Sequence, residues 1–290
     1  MSRLDALEIW AKAIRDDALE RARTRPPRFP RSAERTYEAE LVRMVRPIQI
    51  QIRELIAELK PDFAELEARA DAQVIRLDAL GDAIGKVRAH RDRSIKGTRV
   101  KVGRLRKLAR TIDNVNRASV SAQVGEALAI DPAAALEGAA TVRLPTGSRR
   151  VARTLDAWVG NNSKLVVDVP VKTWRQVEST VRDGFKRGSR HEVIARRLVE
   201  RGVVAESRAR LIARDQINKL NGQLTEARHR DLGITRYTWR TVQDDRVRDE
   251  HLALEGTEWS WSDPPSEGHP GEPIQCRCFA QPIVSDLLEG

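Results

Sequence analysis

From Leu41 to Val87 the apolar residues recur at spacings of three and four: Leu41, Met44 or Val45, Ile48, Ile52, Leu55, Leu59, Phe63, Leu66, Ala70, Val74, Leu77, Ile84 and Val87. That period lays one apolar stripe along the side of a helix, whereas a half-buried strand repeats every two residues. A stripe this long must be covered, so long helices packed as a hairpin or bundle are expected, with a second copy or a partner as a further cover. Pro47 is expected to kink the first helix and Pro61 to restart it. Residues 1–23 carry a shorter stripe of Leu4, Leu7, Trp10, Ile14 and Ala18, which the run Arg25-Pro26-Pro27-Arg28-Phe29-Pro30 breaks.

The chain has 290 residues, enough for about two domains and a real core without disulfide staples. Its two cysteines are one residue apart, so they form no disulfide framework, and reduced thiols are expected. No apolar run reaches the length of a membrane span. Met1 to Trp10 carries Arg3, Asp5 and Glu8 where a signal peptide needs an apolar stretch.

The formal net charge of +10 favours a polyanionic neighbour. Aromatic content of 4% argues against a binder that stacks single-stranded bases, which leaves contact with duplex phosphates. The charge is densest from Lys86 to Arg110, where Lys86, Arg88, Arg91, Arg93, Lys96, Arg99, Lys101, Arg104, Arg106, Lys107 and Arg110 meet one acid, Asp92. Each such side chain that reaches a phosphate releases a counterion, which gives salt-sensitive, sequence-blind affinity for DNA. The competing reading is a solvated helical face.

A helix near Leu105 to Leu128 precedes an Ala-, Gly- and Pro-rich stretch, and residues 131–154 are read as a linker. The expected division is a helical arm or bundle over 1–130 with its basic segment at 86–110, the linker, and a C-terminal domain over 155–290. In the last of these Asn161 to Val169 is expected to be extended. Thr173 to Arg187 reads as a helix closed by Gly188, Ser189 starts the next helix, and a longer one follows Glu206 and ends at Gly233. The fold class is therefore mainly α: an elongated helical N-terminal region followed by an α+β domain with a small antiparallel sheet.

The densest chemistry lies near the C-terminus. The stretch from Tyr237 to Cys278 holds both cysteines, two of five histidines and three of six tryptophans. Thr235 to Val242 alternates as a half-buried strand does, with Tyr237 and Trp239 on one face and Arg236, Thr238 and Arg240 on the other. Asp244 or Asp245 can cap a short helix through His251, closed by Gly256, which would bring a carboxylate, Arg248 and His251 to one face. Glu258 to Trp261 and Gln275 to Ile283 read as two more strands, with Cys276 and Cys278 on one side and Arg277 on the other.

Taken with Arg214-Asp215-Gln216 on a helix, Asn221 and Gly233-Ile234, a specific string emerges: Tyr237, Trp239, Asp245-Arg246-Val247-Arg248, His251, Gly256, Pro270-Gly271 and Cys276-Arg277-Cys278. It resembles the phage Mu F-like minor head protein family over residues 155–284. The resemblance implies a head morphogenesis protein present in a few copies per virion, associated with the portal vertex and acting in assembly, DNA packaging or ejection. It implies as partners a portal protein, double-stranded DNA and a scaffold or major capsid protein, with self-association and no membrane. The implied location is the virion, in the capsid interior or at the portal vertex, and the host cytoplasm during assembly.

Two chemical alternatives stand beside that reading. His251, His269, Cys276 and Cys278 are the ligand types of a zinc site, although Cys-x-Cys is tighter than the usual Cys-x-x-Cys. The reading preferred is that both sulfurs pack in a small core while His251 bonds Asp245, with no cofactor. Asp245, Arg248 and His251 could also serve a metal-dependent nuclease or DNA-processing enzyme, with His251 as general base. A second carboxylate or a nucleophile with its own base is missing, so no catalytic residue is expected.

Overall fold

The computed structural model describes residues 28–68, 73–96, 102–130, 144–145 and 147–284, with side chains described for these except 63–68, 73–78 and 128–130. The elements run α1 (Arg31–Ala68), α2 (Gln73–Lys96), α3 (Val102–Ile130), α4 (Arg149–Lys186), α5 (His191–Asp231), β1 (Arg236–Arg240), α6 (Asp249–Leu252), β2 (Glu258–Ser260) and β3 (Phe279–Pro282). Helices dominate and one small antiparallel sheet lies near the C-terminus, as the sequence pattern implies. The expected helix at 1–23 and most of the expected linker, 131–143, lie outside the described residues.

The described chain forms two compact units, each discontinuous in sequence. One holds Glu34–Leu105 with Val159–Arg214, and the other holds the residues up to Ala33, Arg106–Trp158 and those from Asp215 onward.

The first unit is helical. Its core takes Ile48, Ile52, Leu55 and Leu59 from α1, Ala83, Ile84 and Val87 from α2, Trp174, Val177, Val181 and Phe185 from α4, and Ile194 and Leu198 from α5. Where side chains are described, from Leu41 to Leu59 and at Ile84 and Val87, the apolar stripe is thus the buried face, with Val45 rather than Met44 turned inward; Phe63, Leu66, Ala70, Val74 and Leu77 lie outside the described side chains. Each such side chain contributes about 1.5–3 kcal/mol by leaving water. Polar groups drawn into this core are paired: Trp174 Nε1 donates to Ser94 Oγ at 2.6 Å and Tyr37 Oη donates to Asn162 Oδ1 at 2.8 Å. Pro47 and Pro61 lie inside α1 without ending it. Both are on its exposed face, where water can serve the carbonyls they leave unbonded.

Three local expectations are corrected here. Asn161 to Val169 is not extended but part of α4, which begins at Arg149, inside the span assigned to the linker. The valine-rich run favours a strand by propensity, yet Trp158, Asn162, Val166, Val169 and Thr173 are buried at helical spacing, and packing outweighs propensity. The two helices expected between Ser189 and Gly233 are one, α5, which passes through Gly202. Glycine there costs the helix about 1 kcal/mol. A Cβ on Gly202 would meet Gln49 Cγ of α1 at 3.4 Å, an ordinary contact, and Gln49 Nε2 donates to the Gly202 carbonyl at 3.2 Å.

The second unit carries the sheet, ordered β2-β1-β3 and wholly antiparallel. Tyr237 faces Trp259 on one side and Pro282 on the other, and Trp239 faces Ala280. The buried face joins Tyr237, Trp239, Trp261, Cys276, Cys278 and Ala280 into one cluster. Val120 and Val124 of α3 pack with Ile234 and Val284 in another. The turn from α5 into β1 uses Gly233 at φ +81, which lets the Ile234 N–H reach back to the His229 carbonyl at 2.9 Å.

α3 and α5 are joined by a buried polar network. The Arg228 guanidinium donates to Asp113 and to Asn116, and Asn116 Nδ2 donates to the carbonyl of Asn221 at 3.0 Å and to Thr225 Oγ1 at 2.9 Å. Burial lowers the Arg228 pKa and Asp113 opposes that shift.

Candidate functional site: a buried Cys-His cluster held by α5

The three residue types with distinctive chemistry meet inside the sheet unit. His251 lies on the single turn of α6 and is 2% exposed, while Cys276 and Cys278 on the approach to β3 are 3% and 4% exposed. The His251 Nδ1 lies 3.6 Å from Cys276 Sγ and 3.4 Å from Cys278 Sγ. Alternation places the two sulfurs on the same side, as expected, although the strand itself begins only at Phe279. Arg277 points the other way and pairs with Asp244. The Trp239 ring meets His251 edge to face, with centroids 5.5 Å apart.

The segment entering β3 is held from outside. Two backbone N–H groups, of Gly271 and Cys278, donate to Cys276 Sγ at 3.4 Å each. From α5, Asp215 Oδ1 accepts the Gln275 N–H at 3.0 Å and Asn218 Nδ2 donates to the Cys276 carbonyl at 3.2 Å. The Asp215 bond sits at a residue in the left-handed region, Gln275 at φ 57, and helps hold that backbone in place. Gly271, at φ +95, packs against the same helix: a Cβ there would lie 3.2 Å from the Asn218 carbonyl and 3.4 Å from Gly222 Cα. Reciprocally, a Cβ on Gly222 would lie 2.6 Å from the Pro270 carbonyl oxygen.

This geometry gives the motif residues structural work. Asp215 anchors the cysteine segment and also pairs with Lys219 at 2.9 Å. Gln216 donates to Asp215 at 3.1 Å and accepts from Trp158 Nε1 through its carbonyl at 3.0 Å. Arg214 pairs with Glu34 at 3.2 Å. Gly256 donates to the Trp239 carbonyl at 2.9 Å. Arg240, expected on the polar face of β1, is buried there with Glu255 at 3.1 Å and Gln281 at 2.6 Å.

The Asp245–Arg248–His251 constellation is not assembled. Asp245 is exposed, Asp244 is taken by Arg277, and Arg248 stands at the N-cap of α6 with no side-chain cap bond. Arg248 does come within 3.4 Å of His251 Nε2 and donates to the Ile274 carbonyl. The carboxylate nearest His251 is Glu267, at 4.0 Å from Nε2, a residue the sequence pattern did not single out. Arg246 donates its backbone N–H to Asp244 and takes no part in the cluster. Of the four ligand-type residues, His269 stands apart, with its Nδ1 2.9 Å from the Tyr237 hydroxyl.

The electrostatics follow the geometry. Burial pushes the His251 imidazole below its ordinary range, the Arg248 guanidinium adds to this, and Glu267 and Glu250 oppose it. A hydrogen bond with the Cys278 thiol draws the Cys276 thiol down against its burial, with the N–H groups of Gly271 and Cys278 assisting. The same bond, with burial, raises the Cys278 thiol.

The basic run is divided by its ion pairs. Lys86 pairs with Asp62 at 2.7 Å, Arg88 with Glu178 at 3.9 Å, Arg91 with Asp92 at 2.8 Å, Arg93 with Glu58 at 3.9 Å and Arg104 with Glu40 at 2.9 Å. Lys96, Arg106, Lys107 and Arg110 are exposed and pair with no described residue. Arg99 and Lys101 lie outside the described residues.

The motif string, the sheet register and the cysteine segment anchored on α5 now bear on known proteins. Residues 175–281 match the family of Phage Mu protein F like proteins. The resemblance read from the motif string is thereby borne out, and every motif residue from Arg214 to Cys278 lies within the matched span. The Mu F-like segment covers the C-terminal part of α4 from residue 175, all of α5 and nearly all of the sheet, and leaves α1 to α3 outside. An uncharacterized protein of Haemophilus influenzae is 31% identical over 175 residues, covering 60% of this chain and 37% of that relative's length. No solved structure matches the chain.

Proposed function

We infer that the chain is a phage head morphogenesis protein, a minor capsid component that acts at the portal vertex. The observation that carries this reading is the Mu F-like match over residues 175–281, whose motif residues build and anchor the cysteine segment of the sheet unit. The chain spans 37% of the length of the relative it matches in Haemophilus influenzae, so its role rests on its own residues.

In this reading the sheet unit is a rigid docking module. Its strands are fixed by Tyr237 and Trp239 in the core and by Arg240 with Glu255, and its loops by Asp215, Asn218 and Arg248. The portal protein is the partner, with a scaffold or major capsid protein, or a second copy, as further contacts. Double-stranded DNA is met by the basic run, and among the described residues the cations without an ion pair to a described partner are Lys96, Arg106, Lys107 and Arg110. No described helix is long and apolar enough to cross a membrane, and the place of action is the virion. The role is structural, without a catalytic residue.

The test is a pull-down of the tagged full chain from phage-infected cells, read by mass spectrometry at low and high salt. Portal protein retained at both, with DNA lost at high salt, supports the reading. DNA recovered with host repair factors and no portal protein overturns it.

A further inference from the structure

We propose that His251, Cys276 and Cys278 form a zinc-binding site through Nδ1 and the two Sγ atoms. Zinc bound tetrahedrally at about 2.3 Å from sulfur and about 2.0–2.1 Å from imidazole nitrogen sets nitrogen and sulfur about 3.5 Å apart. The observed separations are 3.6 Å and 3.4 Å, one to each sulfur. All three ligand atoms lie within 4.8 Å of one another, which accommodates the roughly 3.8 Å between two thiolates on one tetrahedral ion.

A hydrogen bond alone accounts for half of this arrangement. A single ring nitrogen offers one proton or one lone pair, yet Nδ1 is bracketed by two sulfurs at nearly equal distance. A cation at their common centre satisfies all three atoms together. The donor set of two soft thiolates and one imidazole selects zinc over magnesium or calcium, which take oxygen.

The surroundings fit the ion as well. The N–H groups of Gly271 and Cys278 both point at Cys276 Sγ, the arrangement that supports a metal-bound thiolate. With Nδ1 on the metal, the proton of His251 rests on Nε2; Glu267 stands 4.0 Å from it, beyond hydrogen-bond distance, and contributes its charge. Arg248, 3.4 Å from Nε2 and able only to donate, gives up that contact when the metal binds and keeps its bond to the Ile274 carbonyl. Binding releases the two thiol protons to solvent and leaves a site of zero net charge in a buried position.

Metal content is measured on the isolated protein, so this site is tested apart from the head-protein reading. The full chain is expressed in zinc-supplemented medium and its metal content measured. It is then stripped and titrated with cobalt(II), whose thiolate charge-transfer absorption reports sulfur ligation directly. About one zinc per chain is expected. His251→Ala, Cys276→Ser and Cys278→Ser should each weaken cobalt binding by roughly tenfold or more, and His269→Ala should leave it unchanged. Circular dichroism identifies variants that fail to fold, and the cobalt spectrum of the wild-type chain decides the matter without them. A folded wild-type chain with two free thiols, no stoichiometric zinc and no charge-transfer band overturns the proposal. Metal that persists in folded His251→Ala and is lost in His269→Ala overturns the ligand set.

Discussion

Gly222→Ala separates two physical effects of opposite sign. Gly222 lies inside α5, so alanine should stabilise the helix by about 0.8–1.0 kcal/mol from propensity alone. The new Cβ would lie 2.6 Å from the Pro270 carbonyl oxygen and 3.5 Å from Gly271 Cα, which are backbone atoms that cannot rotate away. The loop must move by most of an ångström, and overpacking of this kind costs about 1–3 kcal/mol. The movement also pulls on the Gly271 N–H bond to Cys276 Sγ and the Asn218 bond to the Cys276 carbonyl, worth about 0.5–1.5 kcal/mol each. The net expectation is a loss of roughly 1–3 kcal/mol. Gly160→Ala is the control, since Gly160 is exposed on α4 with nothing within 4 Å of its added Cβ, and it should gain up to about 1 kcal/mol. Urea unfolding of both variants, followed by tryptophan fluorescence, measures the difference. A Gly222→Ala chain as stable as Gly160→Ala would refute the claim that α5 is pressed against the 270–271 backbone.

Three further outcomes are expected. Asp113→Ala should cost about 3–5 kcal/mol in denaturant unfolding, because it leaves the Arg228 guanidinium buried without its carboxylate, held by Asn116 and the backbone carbonyl of residue 113, and adding Arg228→Met should recover much of the loss; additive losses would contradict the pairing. His229 is fully buried and makes no hydrogen bond to a described residue, and burial lowers its pKa from 6.5 to about 3. A depressed folded pKa means its contribution is intact above about pH 6.5 and is lost as pH falls toward 3, by roughly 4–5 kcal/mol at the limit. His229→Leu should flatten the stability profile between pH 6.5 and 3, and an unchanged slope would exclude His229 as its source. Replacing Lys96, Arg106, Lys107 and Arg110 by serine should weaken duplex DNA binding and reduce the salt slope by about 0.9 for each phosphate that is no longer neutralised, whereas replacing Lys86, already paired with Asp62, should change it less; equal effects would contradict the assignment of the free cations.

What the sequence made legible is what local period encodes. The stripe from Leu41 to Leu59 became the buried face of α1, Gly233 ended α5, and the alternation of Tyr237 and Trp239 became the buried side of β1, because each is set by spacing along a single element. Propensity misled where packing overruled it: the valines before Pro170 are helical because every third or fourth residue meets the core. At the site, same-side placement of Cys276 and Cys278 was readable, and so was the presence of His251. The carboxylate partner was misplaced, because Asp245 is near His251 in sequence while Glu267 is brought close by the loop between β2 and β3. The bonds of Asp215 and Asn218 to residues 275 and 276, and the Asp113–Asn116–Arg228 network, join residues about sixty to over one hundred positions apart. Nothing local signals them.

The most direct test of the central claim is quantitative mass spectrometry of purified phage heads from cells that make this chain. The chain should be a constituent of the particle at a few copies per portal vertex and remain after nuclease and high-salt washing. A chain that is abundant in the lysate but missing from washed heads would contradict a head morphogenesis role within the virion.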